Sequence, residues 1–157
     1  QKRMVLKPNE MKVSKSLKKS IFNKGFVIKS NENFEAVMRA CSQIKRKHED
    51  STWINEDFVQ AYTNLHHLDI AFSIECYLNE ELVGGLYGLL IGNIFCGESM
   101  FAKVTDASKV AFYHLCQQAE ENGIKLIDCQ VYNDHLASLG AYEISREKYF
   151  EILNENI

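Results

Sequence analysis

Proline is almost missing from this chain of 157 residues: Pro8 is the only one, and Trp53 is the only tryptophan. So little proline, with eight glycines and no Gly-X-Y period, excludes collagen-like and Pro-rich low-complexity classes. Long apolar runs are also absent. The longest charge-free stretch, Leu82–Gly97, is broken by four interior glycines and falls short of the roughly 20 residues a membrane span needs. No C-x-x-C pair occurs among Cys41, Cys76, Cys96, Cys116 and Cys129, which argues against a zinc ribbon and a redox dithiol. An odd number of widely spaced cysteines suits free thiols in a reducing cytoplasm. His66, His67 and His135 have no partners at metal-binding offsets, so no metal is expected. No signal peptide opens the chain. It starts at Gln1 rather than Met, and is expected to be a processed or trimmed piece of something longer.

What remains is ordinary globular usage, 46% hydrophobic and 25% charged, enough for one domain with a real core. The net charge of −3 hides two unlike parts. Residues 1–50 carry 13 Lys/Arg and 5 Asp/Glu, a net of +8, and residues 51–157 carry 5 and 16, a net of −11. Lys2, Arg3, Lys7, Lys12, Lys15, Lys18, Lys19, Lys24 and Lys29 fall in the first 29 residues with Glu10 as the sole acid among them. A short charge run is usually a solvated face, but a cluster of this size makes a field that attracts polyanions, and a nucleic-acid role is the stronger reading.

Met4–Leu6 reads as a short edge strand. Ser14 can cap a basic helix ending near Asn23, with Gly25 stopping it and Phe26–Ile28 extended. Asn31 or Asn33 starts a helix with Phe34, Val37, Met38, Cys41 and Ile44 on one face. Lys45–Ser51 reads as a charged loop. Asn55 caps a helix with Phe58, Tyr62, Leu65 and Leu68 on one stripe. Three antiparallel strands follow, from Phe72, Leu82 and Ile94, turned at Asn79-Glu80 and Gly92-Asn93. Thr105–Ser108 offers hydroxyls and a carboxylate to cap a helix whose apolar face is Ala107, Val110, Ala111, Leu115 and Ala119, and Asn122-Gly123 ends it. Ile124–Val131, with Ile124, Leu126, Ile127, Cys129 and Val131, is mostly apolar and should be a central strand. A short helix near His135–Leu139, a strand at Ala141–Ile144 and a helix from Ser145 complete the chain.

That order predicts an α/β fold of the GNAT type (acyl-CoA N-acyltransferase-like), a mixed, splayed central sheet flanked by helices. Acetyl-CoA users of this fold place a glycine-rich loop against the pyrophosphate at a helix N-terminus. The corresponding stretch, Phe101–Lys109, has no glycine and carries Asp106, which argues for a different acyl donor. Asp128 and Gln130 stand two apart on the central strand and are expected on one face, with Cys129 on the other. A carboxylate among Leu126, Ile127 and Val131 needs either a structural partner or a function, and function is favoured where a sheet splays. Cys96, Glu98 and Met100 are expected on one face of their strand. Glu98 reads equally well as a site residue or a solvated one, and Trp53 as a core anchor.

Several uncommon strings then carry a resemblance: Ser51-Thr52-Trp53-Ile54, Leu82–Gly88, Phe95–Phe101, Ala107-Ser108-Lys109, Leu126–Val131, Asn133-Asp134-His135 and Ser138–Ala141. In this order they resemble the bacterial leucyl/phenylalanyl-tRNA–protein transferase family over nearly the whole chain. The basic segment from Val5 to Lys19 resembles that family's basic helix. The resemblance implies a reaction that moves Leu or Phe from aminoacyl-tRNA to the α-amino group of a protein beginning with Arg or Lys. That mark sends the acceptor to degradation, and the reaction uses no cofactor and no metal.

It also implies roles. Asp128 would orient or deprotonate the amine, Gln130 would relay or position it, and Glu98 would hold the cationic acceptor or the donor's amino group. Trp53, Leu86, Met100, Ile127 and Asn133 would form or support the aminoacyl pocket. Lys12, Lys15, Lys18, Lys19 and Lys109 would meet tRNA phosphates. Leu86 replaces the family's Met, a volume-conserving exchange. The family's additional N-terminal domain, rich in Trp and Pro, is not represented. One structural domain is expected over 1–157, with residues 1–50 as basic flank and first helices and 51–157 as transferase core. A monomer is favoured, with no membrane partner. The alternatives are a non-catalytic tRNA- or N-degron-binding remnant and a small-molecule N-acyltransferase.

Overall fold

The structure, a computed structural model, describes residues 1–49 and 55–157. Seven strands and six helices follow in the order β1 (Lys2–Leu6), α1 (Lys15–Asn23), β2 (Val27–Ser30), α2 (Phe34–Glu49), α3 (Glu56–His67), β3 (Ala71–Leu78), β4 (Glu81–Ile91), β5 (Ile94–Ala102), α4 (Ala107–Glu121), β6 (Leu126–Gln130), α5 (Asp134–Ser138), β7 (Tyr142–Ser145) and α6 (Arg146–Asn156). The strands form one sheet ordered β2-β3-β4-β5-β6-β1-β7. The β5–β6 pair is parallel and the remaining pairs are antiparallel.

Local signals explain most of the boundaries. The side chains of Ser14, Asn55, Asn133 and Ser145 accept from backbone N–H groups three residues on, at the starts of α1, α3, α5 and α6. Each such cap is worth about 1 kcal/mol. Asn79 and Glu80 both take positive φ, 51° and 66°, and give the β3–β4 hairpin the tight turn that matches strand twist.

Four expectations are corrected. Met4–Leu6 is not an edge: β1 lies between β6 and β7, and Met4, Val5 and Leu6 are each 0% exposed. Three consecutive apolar residues mark burial on both faces, which an edge strand does not have. The segment from Lys45 does not form a loop up to Glu49 but continues α2, because Lys, Arg and Glu favour helix and nothing breaks it; Asp50 and Ser51 lie outside the described residues. On α3 the stripe is rotated. Val59 is buried while Phe58 and Leu68 are exposed, since the helix packs on α2 and β3 from one side only. Asp106 sits before α4 at φ 69° and does not cap it. Its carboxylate instead accepts from Ser20 Oγ at 2.6 Å and ties α4 to α1.

Helices cover both faces of the sheet. On one, α1 and α4 bring Leu17, Val110, Phe112 and Leu115 onto Leu86, Phe95 and Ile127. On the other, α2 and α3 bring Val37, Met38 and Val59 onto Tyr87 and Phe101, and α6 brings Tyr149 onto Val5, Ile94 and Leu126. Buried Glu75 on β3 is satisfied by Ser73 Oγ and by the Glu32 amide just ahead of α2. Gly84 on β4 lets α4 approach closely: a Cβ there would stand 2.5 Å from Ala107 Cβ.

Candidate active site

The site forms where two neighbouring parallel strands part. β5 and β6 pair only as far as Cys96 opposite Asp128, although β5 continues to Ala102. Both strands are irregular at that point. In β5 the partner of Gly88 is Gly97 and the partner of Tyr87 is Ser99, so Glu98 is the extra residue of a bulge. In β6 the partner of Val5 is Asp128 and the partner of Met4 is Gln130, so Cys129 is extra.

A bulge shifts the alternation of side chains by one. Cys96, Glu98 and Met100 therefore do not share a face as expected: Cys96 packs toward α6, and Met100 packs with Leu86 on the α4 side. Gln130 takes a φ of 70°, leaves the strand's alternation and reaches across the gap. Its Nε2 donates to Gly97 O at 2.7 Å and Glu98 Oε2 at 3.0 Å. Two acceptors on one side of the amide fix which end is nitrogen, and among the described residues Oε1 meets no donor.

Asp128 is 0% exposed and stands behind this arrangement. Its Oδ1 accepts from Arg3 Nε at 3.0 Å and from the Gln130 amide at 2.8 Å. Its Oδ2 accepts from Arg3 Nη2 and from Tyr149 Oη, both at 2.7 Å. Arg3 also lies over the Tyr149 ring, 4.9 Å from its centre. Burial, and then the bond to Asp128, push the Tyr149 phenol well above its ordinary range, so it remains a donor. On the other side Tyr62 Oη donates to Glu98 Oε1 at 2.8 Å. Burial and Glu98 together raise that phenol to about 12.

Sequence reasoning missed Arg3, Tyr62 and Tyr149 as parts of this network. In sequence Arg3 belongs to the basic flank, and the placement of β1 beside β6 is what brings it here. Tyr62 was already on the predicted α3 stripe, but nothing in the sequence marks Tyr149.

The gap opens into a cavity of about 640 Å³ lined on the α4 side by Leu86, Met100, Phe112 and Ile127, and at its polar end by Glu98, Gln130, Asn133 and His135. Asp128, Gln130, Glu98, Leu86, Met100, Ile127 and Asn133 are thus brought together. Asn133 Oδ1 is engaged in capping α5, where it accepts from Leu136 N. Trp53 lies outside the described residues. The lysines divide. Lys15, Lys18 and Lys19 are exposed on α1, whereas Lys12 and Lys109 line a separate hollow of about 380 Å³ with Ser14 and Ser138. Among the described residues no cluster of His, Cys, Asp and Glu could hold a metal ion, and no helix is long and apolar enough to cross a membrane.

All five thiols are free. Burial raises Cys96 to about 11 and Cys41, Cys76, Cys116 and Cys129 to about 12. The thiolate is the nucleophile, so alkylation by iodoacetamide at pH 8 should be slow for the folded chain and fast in denaturant. Mass spectrometry of the time course checks this, and rapid native labelling at the half-buried Cys129 would contradict its raised pKa.

A mixed sheet parted between two parallel strands, with an acceptor-bearing cavity at the gap, defines an N-acyltransferase-type fold. Solved structures agree. FemX superposes with a TM-score of 0.70 at 10% identity, over 97% of this chain and 63% of FemX. An aminoglycoside acetyltransferase from an uncultured soil metagenomic sample, solved with sisomicin, gives 0.59 at 12% identity, over 74% of this chain and 88% of that one. At such identities the likeness concerns the fold alone.

Sequence comparison is more specific. A family model described as Leucyl/phenylalanyl-tRNA protein transferase matches residues 5–154. The proteins of that name from Flavobacterium johnsoniae and Nitrosospira multiformis are each 49% identical, over 96% and 98% of this chain. The chain belongs to the leucyl/phenylalanyl-tRNA–protein transferase family. It spans 71% of the first relative's length and 66% of the second's, about two thirds.

Proposed function

We propose that the chain carries out aminoacyl transfer: Leu or Phe passes from its tRNA to the α-amino group of a protein beginning with Arg or Lys. The acceptor is thereby marked for degradation in the cytoplasm. The observation that carries this reading is the Gln130 amide in the lining of the cavity: its Nε2 is held by Gly97 O and Glu98, and its Oε1 has no hydrogen-bond partner among the described residues.

The chemistry asks little of the protein. An aminoacyl ester is already activated, and an α-amino group with a pKa of about 7.7–8.0 is partly free base at neutral pH. The amine nitrogen bonds to the ester carbonyl carbon, the bond to the ribose oxygen breaks, and that oxygen takes up a proton. Gln130 Oε1 can accept from the amine N–H and aim its lone pair, which is a gain in orientation rather than in basicity. Leu86, Met100, Phe112 and Ile127 offer the apolar surface a Leu or Phe side chain would bury. Glu98 supplies negative charge for a cationic amine, and the acidic balance of residues 51–157 suits an acceptor with N-terminal Arg or Lys. The absence of glycine from Phe101–Lys109 remains an argument against a CoA donor.

The direct test mixes the chain with labelled Leu-tRNA and a peptide starting with Arg. Labelled peptide is expected. Its absence, even with the remaining third of a full-length relative added in trans, would overturn the reading, and tRNA binding without product would point to a non-catalytic remnant. Lys15, Lys18 and Lys19 lie exposed on α1 and are expected to meet phosphates. Replacing Lys18 and Lys19 by Ala should reduce the slope of log K against log salt by about 0.7–0.9 per lysine, measured by filter binding.

A further inference from the structure

We infer that Arg3 and Tyr149 are positioning residues of the transfer: they fix Asp128 as an immobile anion whose task is to hold the backbone and amide of Gln130. This rests on the transferase reading above. Four donors meet the two oxygens of Asp128 at 2.7–3.0 Å: two nitrogens of Arg3, the Tyr149 hydroxyl and the Gln130 N–H. A carboxylate so surrounded has no lone pair left for an incoming amine. It does have a use where it stands. Gln130 adopts a φ of 70°, a conformation a non-glycine residue takes only when its surroundings hold it. The bond from its own amide to Asp128 Oδ1 supplies that hold.

Neither Arg3 nor Tyr149 is among the residues lining the cavity, so their influence reaches substrate only through Asp128 and Gln130. Each contributes something the other does not. Arg3 is a two-pronged cation carried by β1, which pairs with β6 directly. Tyr149 comes from α6, 21 residues beyond Asp128, and its buried hydroxyl closes the last acceptor position. Together they tie the bulge of β6 to elements at both ends of the chain.

The test is a double-mutant cycle in the full chain. Tyr149→Phe removes one donor and keeps the ring; Arg3→Lys keeps the charge and loses the fork. Each should lower kcat about tenfold or more and leave KM for aminoacyl-tRNA unchanged, because no substrate contact is lost. Made in a Gln130→Ala background, Tyr149→Phe should cost nothing further. A full multiplicative loss in that background, or a Tyr149→Phe enzyme with wild-type kcat, would overturn the inference.

A second measurement does not need turnover. In the NMR spectrum the two Nε2 protons of Gln130, assigned by their disappearance in Gln130→Ala, should be well separated. In Tyr149→Phe they should collapse toward the positions of a free amide. Unchanged signals would overturn the inference. If the wild-type chain transfers nothing, the transferase reading falls, and the amide signals alone decide the positioning role.

Discussion

Replacing Asp128 by Ala is expected to lower transfer by about 10²-fold, through loss of the hold on Gln130, while tRNA still binds. The same change should destabilise the fold by about 3 kcal/mol, at the low end for breaking a buried ion pair. The low end applies because the Arg3 side chain is 34% exposed and can rehydrate, whereas the buried Tyr149 hydroxyl cannot. Urea unfolding and the labelled-peptide assay measure the two effects separately. Asp128→Asn separates them further: it keeps the shape and one acceptor but turns an amide N–H toward Arg3 or Tyr149, a donor facing donors. Retained transfer in Asp128→Ala would remove the residue from the mechanism. Weakened tRNA binding would mean that β6 and α1 are coupled in a way the separate lysine face does not suggest.

The second large effect concerns Gly84, opposite Cys76 on β3. A Cβ at this position would stand 2.5 Å from Ala107 Cβ and 2.8 Å from the Ala107 carbonyl carbon, closer than real side chains approach. The obstacle is the first turn of α4, backbone rather than a flexible tip, so the helix itself must shift. Gly84→Ala should cost about 1–3 kcal/mol, and Gly84→Val more, read as a lower urea midpoint with an unchanged m-value. Transfer should fall too, because Ser108 in that same turn lines the cavity. Gly97→Ala is the control. Among the described residues a Cβ there meets only Asp128 O, at 3.5 Å, and stability should stay within about 0.5 kcal/mol.

Much of this architecture was readable from the order of residues. Caps at Ser14, Asn55 and Ser145, the Asn79-Glu80 turn and the α4 face are local signals written within one or two turns of chain. The motif strings carried the family, and with it the gathering of Asp128, Gln130 and Glu98. For Lys45–Glu49 helix propensity is a stronger guide than charge.

What could not be read was non-local. Nothing near Arg3 says that β1 will insert between β6 and β7, so its ion pair with Asp128 was invisible and the strand was placed at the edge. The bulges at Glu98 and Cys129 carry no insertion mark in a single sequence, yet they decide that Met100 faces α4 and that Gln130 turns across the gap. Asp106 had the composition of a cap and was taken by Ser20, 86 residues away, a competition that only tertiary packing resolves.

The sheet order has a consequence for how this protein comes into being. β1, residues 2–6, leaves the ribosome more than a hundred residues ahead of its strand neighbours, residues 126–130 and 142–145. β1 must therefore wait unpaired, its apolar residues without their native neighbours, until those later strands have emerged. Arg3 can meet neither Asp128 nor Tyr149 before then. On the transferase reading, a part-made chain lacks the Asp128 network, and competence would come only with the pairing of β1 and β6 and the docking of α6.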